Sequence, residues 1–148
     1  MIGVDTNVLV YAHRDESEHH RLAAAWVRHL AEGPAPWALP VFALGEFLRV
    51  VTHPKLFDRP TSPATAIEFL SMLLESPTVR VIAPGRLFPR LLADTVLAAE
   101  ARGNLVFDAQ IAAVCREHGV DRLLTRDRDF QRFSTIEALL MTAPPALP

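Results

Sequence analysis

The chain has 148 residues, 50% of them apolar, and a formal charge of -2. That length suits one domain with one good core, the composition excludes a mostly disordered chain, and the charge excludes a simple polybasic nucleic-acid coat. No apolar run reaches the roughly 18 residues of a membrane span, and a single cysteine, Cys115, excludes a disulfide framework or a cysteine zinc cluster.

Taken in order, residues 2–4 read as a short buried strand, and Thr6 or Asn7 can cap a helix running to about residue 12. Residues 16–32 read as an amphipathic helix, because Leu22, Ala25, Trp26 and Leu30 recur at helical spacing. Gly33-Pro34-Ala35-Pro36 breaks it. A third helix spans 41–52, followed by a loop over 53–60. Ser62-Pro63 opens a helix to about 74, with a cap and then proline at the first helical position. Residues 79–82 read as a strand, 86–102 and 107–118 as helices, and 122–125 as a third strand. Residues 126–133 form a charged turn, a weak strand signal lies at 135–136, and 143–148 reads as a mobile tail. One domain over 1–142 is expected, with strands alternating with helices around a mainly parallel sheet. Cys115 falls in an apolar helical run and reads as a core residue. The first strand signal begins at residue 2 with no basic leader before it, so the expected location is the cytoplasm.

The chemistry lies in acids whose neighbours are apolar. Asp5 ends the first strand, where open α/β sheets place ligands. Glu46 interrupts Phe42-Ala43-Leu44-Gly45-Glu46-Phe47-Leu48, and Asp108 shares a helical face with Ile111, Ala112 and Cys115. Asp127 follows the strand Leu123-Leu124-Thr125, and Asp129 competes with it two residues on. Each has a plainer reading. Asp5 and Asp108 could cap helices, Glu46 could pair with Arg49, and Asp127 or Asp129 could be turn acids beside Arg126 and Arg128. Together they share what capping does not require, since each interrupts an otherwise buried face. Buried carboxylates stay ionised only when a cation pairs with them. A hard divalent ion with oxygen ligands answers that need, and Mg²⁺ or Mn²⁺ suits carboxylate-plus-water sites. The six histidines form no ligand spacing. There is no Gly-rich phosphate loop and no Gly-x-Ser-x-Gly elbow.

Val4-Asp5-Thr6-Asn7-Val8-Leu9, Glu46-Phe47, Phe107-Asp108-Ala109-Gln110-Ile111-Ala112-Ala113 and Leu124-Thr125-Arg126-Asp127-Arg128-Asp129-Phe130 occur in this order over almost the whole chain. In these motifs the chain resembles the PIN-domain ribonucleases, specifically VapC-type toxins of bacterial toxin–antitoxin pairs. The resemblance implies a three-layer α/β/α sandwich with a mainly parallel central sheet of about four to five strands. It implies that Asp5, Glu46 and Asp108 bind a divalent ion, Mg²⁺ or Mn²⁺, with Asp127 as fourth acid of a Thr-x-Asp motif and Asp129 as its competitor. It further implies RNA phosphodiester hydrolysis, a small VapB-like antitoxin lying across the apolar helices at 17–32 and 41–52, and a homodimer. Arg14, Arg49, Lys55, Arg59, Arg126, Arg128 and Arg132 are candidate phosphate contacts, while Trp37 and Tyr11 could stack on a base or pack in the core.

Two other readings compete. A phosphatase-like α/β enzyme would use Asp5 as nucleophile, but it wants a second Asp where Asn7 stands and a well-placed lysine where Lys55 is the only one. A PIN-like binding module without catalysis predicts degraded acids, and all four positions are filled.

Overall fold

The structure is a computed structural model and describes residues 1–143. Its elements are β1 (Ile2–Val4), α1 (Thr6–His13), α2 (His20–Glu32), β2 (Trp37–Pro40), α3 (Val41–Val51), α4 (Pro63–Leu74), β3 (Val79–Ile82), α5 (Phe88–Ala99), α6 (Leu105–Glu117), β4 (Arg122–Thr125), a 3-10 turn (Arg128–Arg132) and β5 (Glu137–Leu140). The five strands lie in the order β3-β2-β1-β4-β5, and every neighbouring pair is parallel. The chain winds outward from β1 to β2 and β3, then returns to add β4 and β5 on the other side. The place where the winding reverses is the β1/β4 pair, and the carboxyl ends of those two strands form the crevice of a doubly wound sheet.

The pleat divides the strands between two cores. Val4, Trp37, Leu39 and Leu124 face one core with Leu9, Val27, Phe47 and Leu70 of α1 to α4. Ala38, Ile82 and Leu123 face the other, with Ala99 of α5, Ile111, Ala112 and Cys115 of α6, and Phe130 of the 3-10 turn. The result is the expected three-layer α/β/α sandwich, with five strands, within the four to five expected. Phe47 is wholly buried and stacks on Phe69 with ring centroids 5.3 Å apart, which ties α3 to α4. Burying one such side chain contributes about 1.5–3 kcal/mol. Gly3 lets β4 and the segment leading into it lie close to β1, since a Cβ there would lie 3.1 Å from Val120 and 3.2 Å from Leu123. Cys115 is buried as expected, and burial pushes its thiol up to about 12.

One strand was not anticipated, and two expectations need correction. Residues 37–40 follow the Gly-Pro break directly and form a fully buried strand, β2, between β1 and β3. The weak strand signal at 135–136 lies two residues early, because β5 spans Glu137–Leu140 and pairs with Arg122–Thr125. The helix expected from 16 begins at His20. Of the expected tail, only Ala143 is described, and its carbonyl accepts a 2.7 Å hydrogen bond from Trp26 Nε1; residues 144–148 lie outside the described residues. Among the described residues no helix is long and apolar enough to cross a membrane.

Candidate active site

Asp5 stands between the end of β1 and the first turn of α1, in extended backbone at φ -79° and ψ 156°. It caps α1, and it is also buried at the switch point of the sheet. Its Oδ1 accepts from Thr6 N at 2.7 Å at the start of α1, and its side chain sits in the β1/β4 crevice with only 4% exposure. The Thr125 hydroxyl donates to Asp5 Oδ2 at 2.7 Å, and the Asn7 amide donates to the same oxygen. Thr125 Oγ1 in turn accepts from Asn7 Nδ2 at 3.1 Å and from Asp127 N at 2.9 Å. Both lone pairs of that hydroxyl are used, so its one proton is directed at Asp5. Asn7 Oδ1 accepts from Arg126 N at 3.1 Å, which stitches the loop after β1 to the loop after β4.

The same crevice gathers the other acids. The Thr6 hydroxyl donates to Glu46 Oε2 at 3.1 Å, linking the start of α1 to the middle of α3. Beside Asp5 a cleft of about 760 Å³ is lined by Glu46, Asp108 and Asp127, together with Phe42, Gly45, Arg49, Asn104 and Phe107. Asp108 lies in the first turn of α6, where the helix dipole favours a negative charge. Asp127 caps the 3-10 turn by accepting from Asp129 N at 2.8 Å, and it is half-buried while Asp129 is exposed. Asp127 therefore faces the cleft and Asp129 does not line it.

Electrostatics record the crowding. Burial pushes Asp5 up to about 7; the hydrogen bonds from Thr125 and Thr6 oppose the rise, and the charges of Glu46 and Asp127 add to it. Asp108 also rises to about 7, first through burial and then through Asp5, Asp127, Glu46 and Asp129. The protein offers this cluster little compensation. Arg49 approaches Glu46 at 3.4 Å, and that is the one Lys or Arg ion pair to these four acids among the described residues. The side chains are not drawn into a closed shell, since among the described residues no three His, Cys, Asp or Glu stand close enough to hold an ion as placed.

Several expected phosphate contacts are committed elsewhere. Arg14 donates to the Arg59 carbonyl and to Thr61, pairs with Glu16 and lies 4.1 Å over the Phe57 ring, so it holds the 53–61 loop. Arg126 donates to the Met141 carbonyl at 3.1 Å, and Arg132 to that of Ala99 at 3.0 Å. Arg49 is the one member of that set lining the acidic cleft. Trp37 is fully buried in β2, with Nε1 donating to Ser76 Oγ at 3.3 Å. The bonds of Thr6 to Glu46 and of Asn7 to Arg126 were not legible in sequence, because they join residues far apart in the chain.

The Thr125 hydroxyl bond is directed at a buried acid, and bonds to charged groups contribute about 1.5–3 kcal/mol. Thr125→Val is therefore expected to lower the urea-unfolding free energy at pH 8 by that amount, while Thr125→Ser stays close to the parent. Equal stability of the valine variant and the parent would show that the hydroxyl does not hold Asp5.

Comparison with known proteins places this geometry. The PIN-domain family profile matches residues 2–136. Ribonuclease VapC48 of Mycobacterium tuberculosis is 38% identical over 136 residues, spanning 89% of this chain and 91% of its own. The crystal structure of Mycobacterium tuberculosis VapC20, a sarcin-ricin-loop-cleaving toxin, superposes with a TM-score of 0.69 at 20% identity, covering 93% of this chain and 98% of its own. VapBC2 from Rickettsia felis, solved bound to a DNA fragment from its promoter, superposes with a TM-score of 0.68 at 20% identity, covering 93% and 96%. The last two share the fold, and the first shares both sequence and length. A doubly wound parallel sheet with acids gathered at its switch point, a family match over nearly the whole chain and a full-length ribonuclease relative lead to one assignment: this chain belongs to the PIN-domain family, among the VapC ribonucleases.

Proposed function

We propose that this chain is an endoribonuclease toxin that hydrolyses RNA phosphodiester bonds with Mg²⁺ or Mn²⁺ held by Asp5, Glu46, Asp108 and Asp127. The observation that carries the metal reading is the uncompensated charge: Asp5 and Asp108 both sit at about 7 beside two further acids. Carboxylate oxygens as the donors at this cleft match the ligand preference of a hard divalent cation. Such an ion, when bound, eases deprotonation of a water and stabilises charge developing on phosphate oxygens.

The chain's own residues supply position. Thr125 and Asn7 leave Asp5 Oδ2 with two donors, and Thr6 N takes one side of Oδ1, so the free lone pair of Oδ1 is what Asp5 offers to the site. Thr6 orients Glu46 in the same way. Arg49, at the cleft wall, is placed to meet a phosphate flanking the scissile one. Asp127 is the fourth acid in this reading and Asp129 a surface charge.

The partner follows from the same family. A small VapB-like antitoxin is the proposed restraint, and a homodimer the proposed assembly. The helices α2 and α3 were the expected antitoxin groove; the exposed large apolar side chains of that layer stand next to them, on α4, at Ile67, Met72 and Leu74. On the α5 side, Leu87 and Leu97 supply an apolar surface for the second copy.

The deciding experiment is cleavage of total RNA by purified protein in Mn²⁺ or Mg²⁺, in EDTA, and by Asp5→Asn. Cleavage is expected with metal, absent in EDTA and restored by adding metal back, and reduced at least about 100-fold in the variant. Cleavage that persists in EDTA and in the variant would overturn the metal-nuclease reading.

A further inference from the structure

One side chain in the acidic cleft belongs to neither hydrophobic core. Phe107 is 59% exposed, yet it lines the cleft that holds Glu46, Asp108 and Asp127. The other aromatic of that cleft, Phe42, is half-buried and packs on Phe88 at 5.6 Å, so it is occupied within the protein. Phe107 makes no comparable ring contact among the described residues. An exposed phenyl ring loses free energy to water that burial would recover, and a lone exposed apolar side chain is ordinary on a protein surface. Its position is what gives it meaning. It directly precedes Asp108, so their Cα atoms are about 3.8 Å apart, and Arg49, Asn104 and Gln110 complete the walls around it.

We propose that Phe107 is a substrate-recognition residue whose ring stacks on an unpaired nucleobase next to the scissile phosphate; this rests on the ribonuclease reading above. A phosphate meeting Arg49 at the cleft wall carries its nucleotide into the same cleft, and the nearest open aromatic face belongs to Phe107. Single-stranded RNA is recognised by such stacking on aromatic side chains, because every base has a π-face and duplex bases are already stacked on one another. Arg49 across the cleft supplies a charge for the adjoining phosphate, and the Asn104 and Gln110 amides offer donors and acceptors to base edges. The enzyme would therefore select loops and single strands over continuous duplex.

The test separates binding from cleavage. Single-stranded oligoribonucleotides of mixed sequence carrying 2-aminopurine are titrated in EDTA with the parent protein, Phe107→Ala, Phe107→Leu and Phe107→Trp. Stacking quenches the probe. The parent and the tryptophan variant are expected to quench it. The alanine and leucine variants are expected to lose the quench and to bind about tenfold more weakly, the scale of one lost base–aromatic stack. In metal the same loss falls on KM rather than kcat, and duplex RNA gives no quench with any variant. Quenching by Phe107→Ala equal to the parent overturns the proposal. So does a shift of Phe107→Ala from dimer to monomer in light scattering with RNA binding unchanged, which makes the ring an interface residue. A parent protein that cleaves RNA while its alanine variant keeps the quench sinks this inference alone; a parent that cleaves no RNA in Mn²⁺ sinks the ribonuclease reading beneath it.

Discussion

Asp108→Asn is expected to abolish RNA cleavage and to make the metal-free protein more stable at pH 8. Both effects arise from one carboxylate. Asp108 lines the cleft and is raised to about 7 by burial and by four neighbouring acids, so at pH 8 it is charged in a place that disfavours charge. No hydrogen bond within the protein holds it among the described residues, and the amide substitution keeps its shape while removing the repulsion. The gain is about 1–2 kcal/mol after allowing for solvent screening of a half-exposed side chain. Activity falls by at least about 100-fold, because a ligand of the proposed ion is lost. Stability and function oppose each other here, as they do wherever a site is built from mutually repelling groups. Urea unfolding in EDTA and cleavage in Mn²⁺ read the two effects separately. A variant that is inactive and also less stable than the parent at pH 8 would show that Asp108 serves the fold.

The second large effect is a pH dependence that a divalent cation reverses. An aspartate titrates near 3.9 in an unfolded chain, whereas Asp5 and Asp108 sit at about 7 in the folded protein. Between roughly pH 4 and 7 the folded state keeps protons that the unfolded state has released, so stability falls as the pH rises. Above about 7 both states are deprotonated at these groups and the loss is complete, at on the order of 1.4 kcal/mol for each pH unit between the two values. The two acids feel each other, so their contributions are not a simple sum. His13 works in the opposite sense. Burial, with the Arg14 charge adding to it, holds its imidazole below the usual range, so the unfolded chain takes up a proton there first as the solution is acidified. The clean readout is therefore the difference in slope between the parent and Asp108→Asn over pH 5 to 8 in EDTA. The parent is expected to lose more stability than the variant across that range, and Mn²⁺ at pH 8 to restore it by binding the ionised carboxylates. Equal slopes for the two proteins, or no stabilisation by Mn²⁺, would count against the four acids holding a divalent ion.

How much of this could be read from the chain depended on range. The helices with local signals are where they were expected, as with α4, where Ser62 accepts from Thr65 N at 3.1 Å and Pro63 opens the helix. β2 was hidden because both of its faces are buried, so it shows no alternation, and because it is four residues long between a Gly-Pro break and Pro40. Its membership in the sheet is a property of its neighbours β1 and β3, which no local window contains. The acids stood out because a charge amid apolar residues is a local anomaly. The choice between Asp127 and Asp129 was not local, since Arg126-Asp127-Arg128-Asp129 offers two equivalent acids. It is the 3-10 turn after β4 that leaves one half-buried at the cleft and the other exposed. Thr125 and Asn7 illustrate the same limit: their residue types suit caps and turns, and their partnership with Asp5 exists only once β1 and β4 lie side by side.

That pairing also sets a schedule. Thr125 and Asp127, which complete the surroundings of Asp5, come more than a hundred positions after it in the chain. β1 gains one neighbour from the first third of the chain and the other only from β4. A nascent chain that has already formed α1 to α4 therefore holds two acids without the strand that closes the crevice around them. Such long-range closure is slow by its nature. The order of the strands therefore makes the acid cluster a late product of folding, since its surroundings exist only once β4 has docked beside β1.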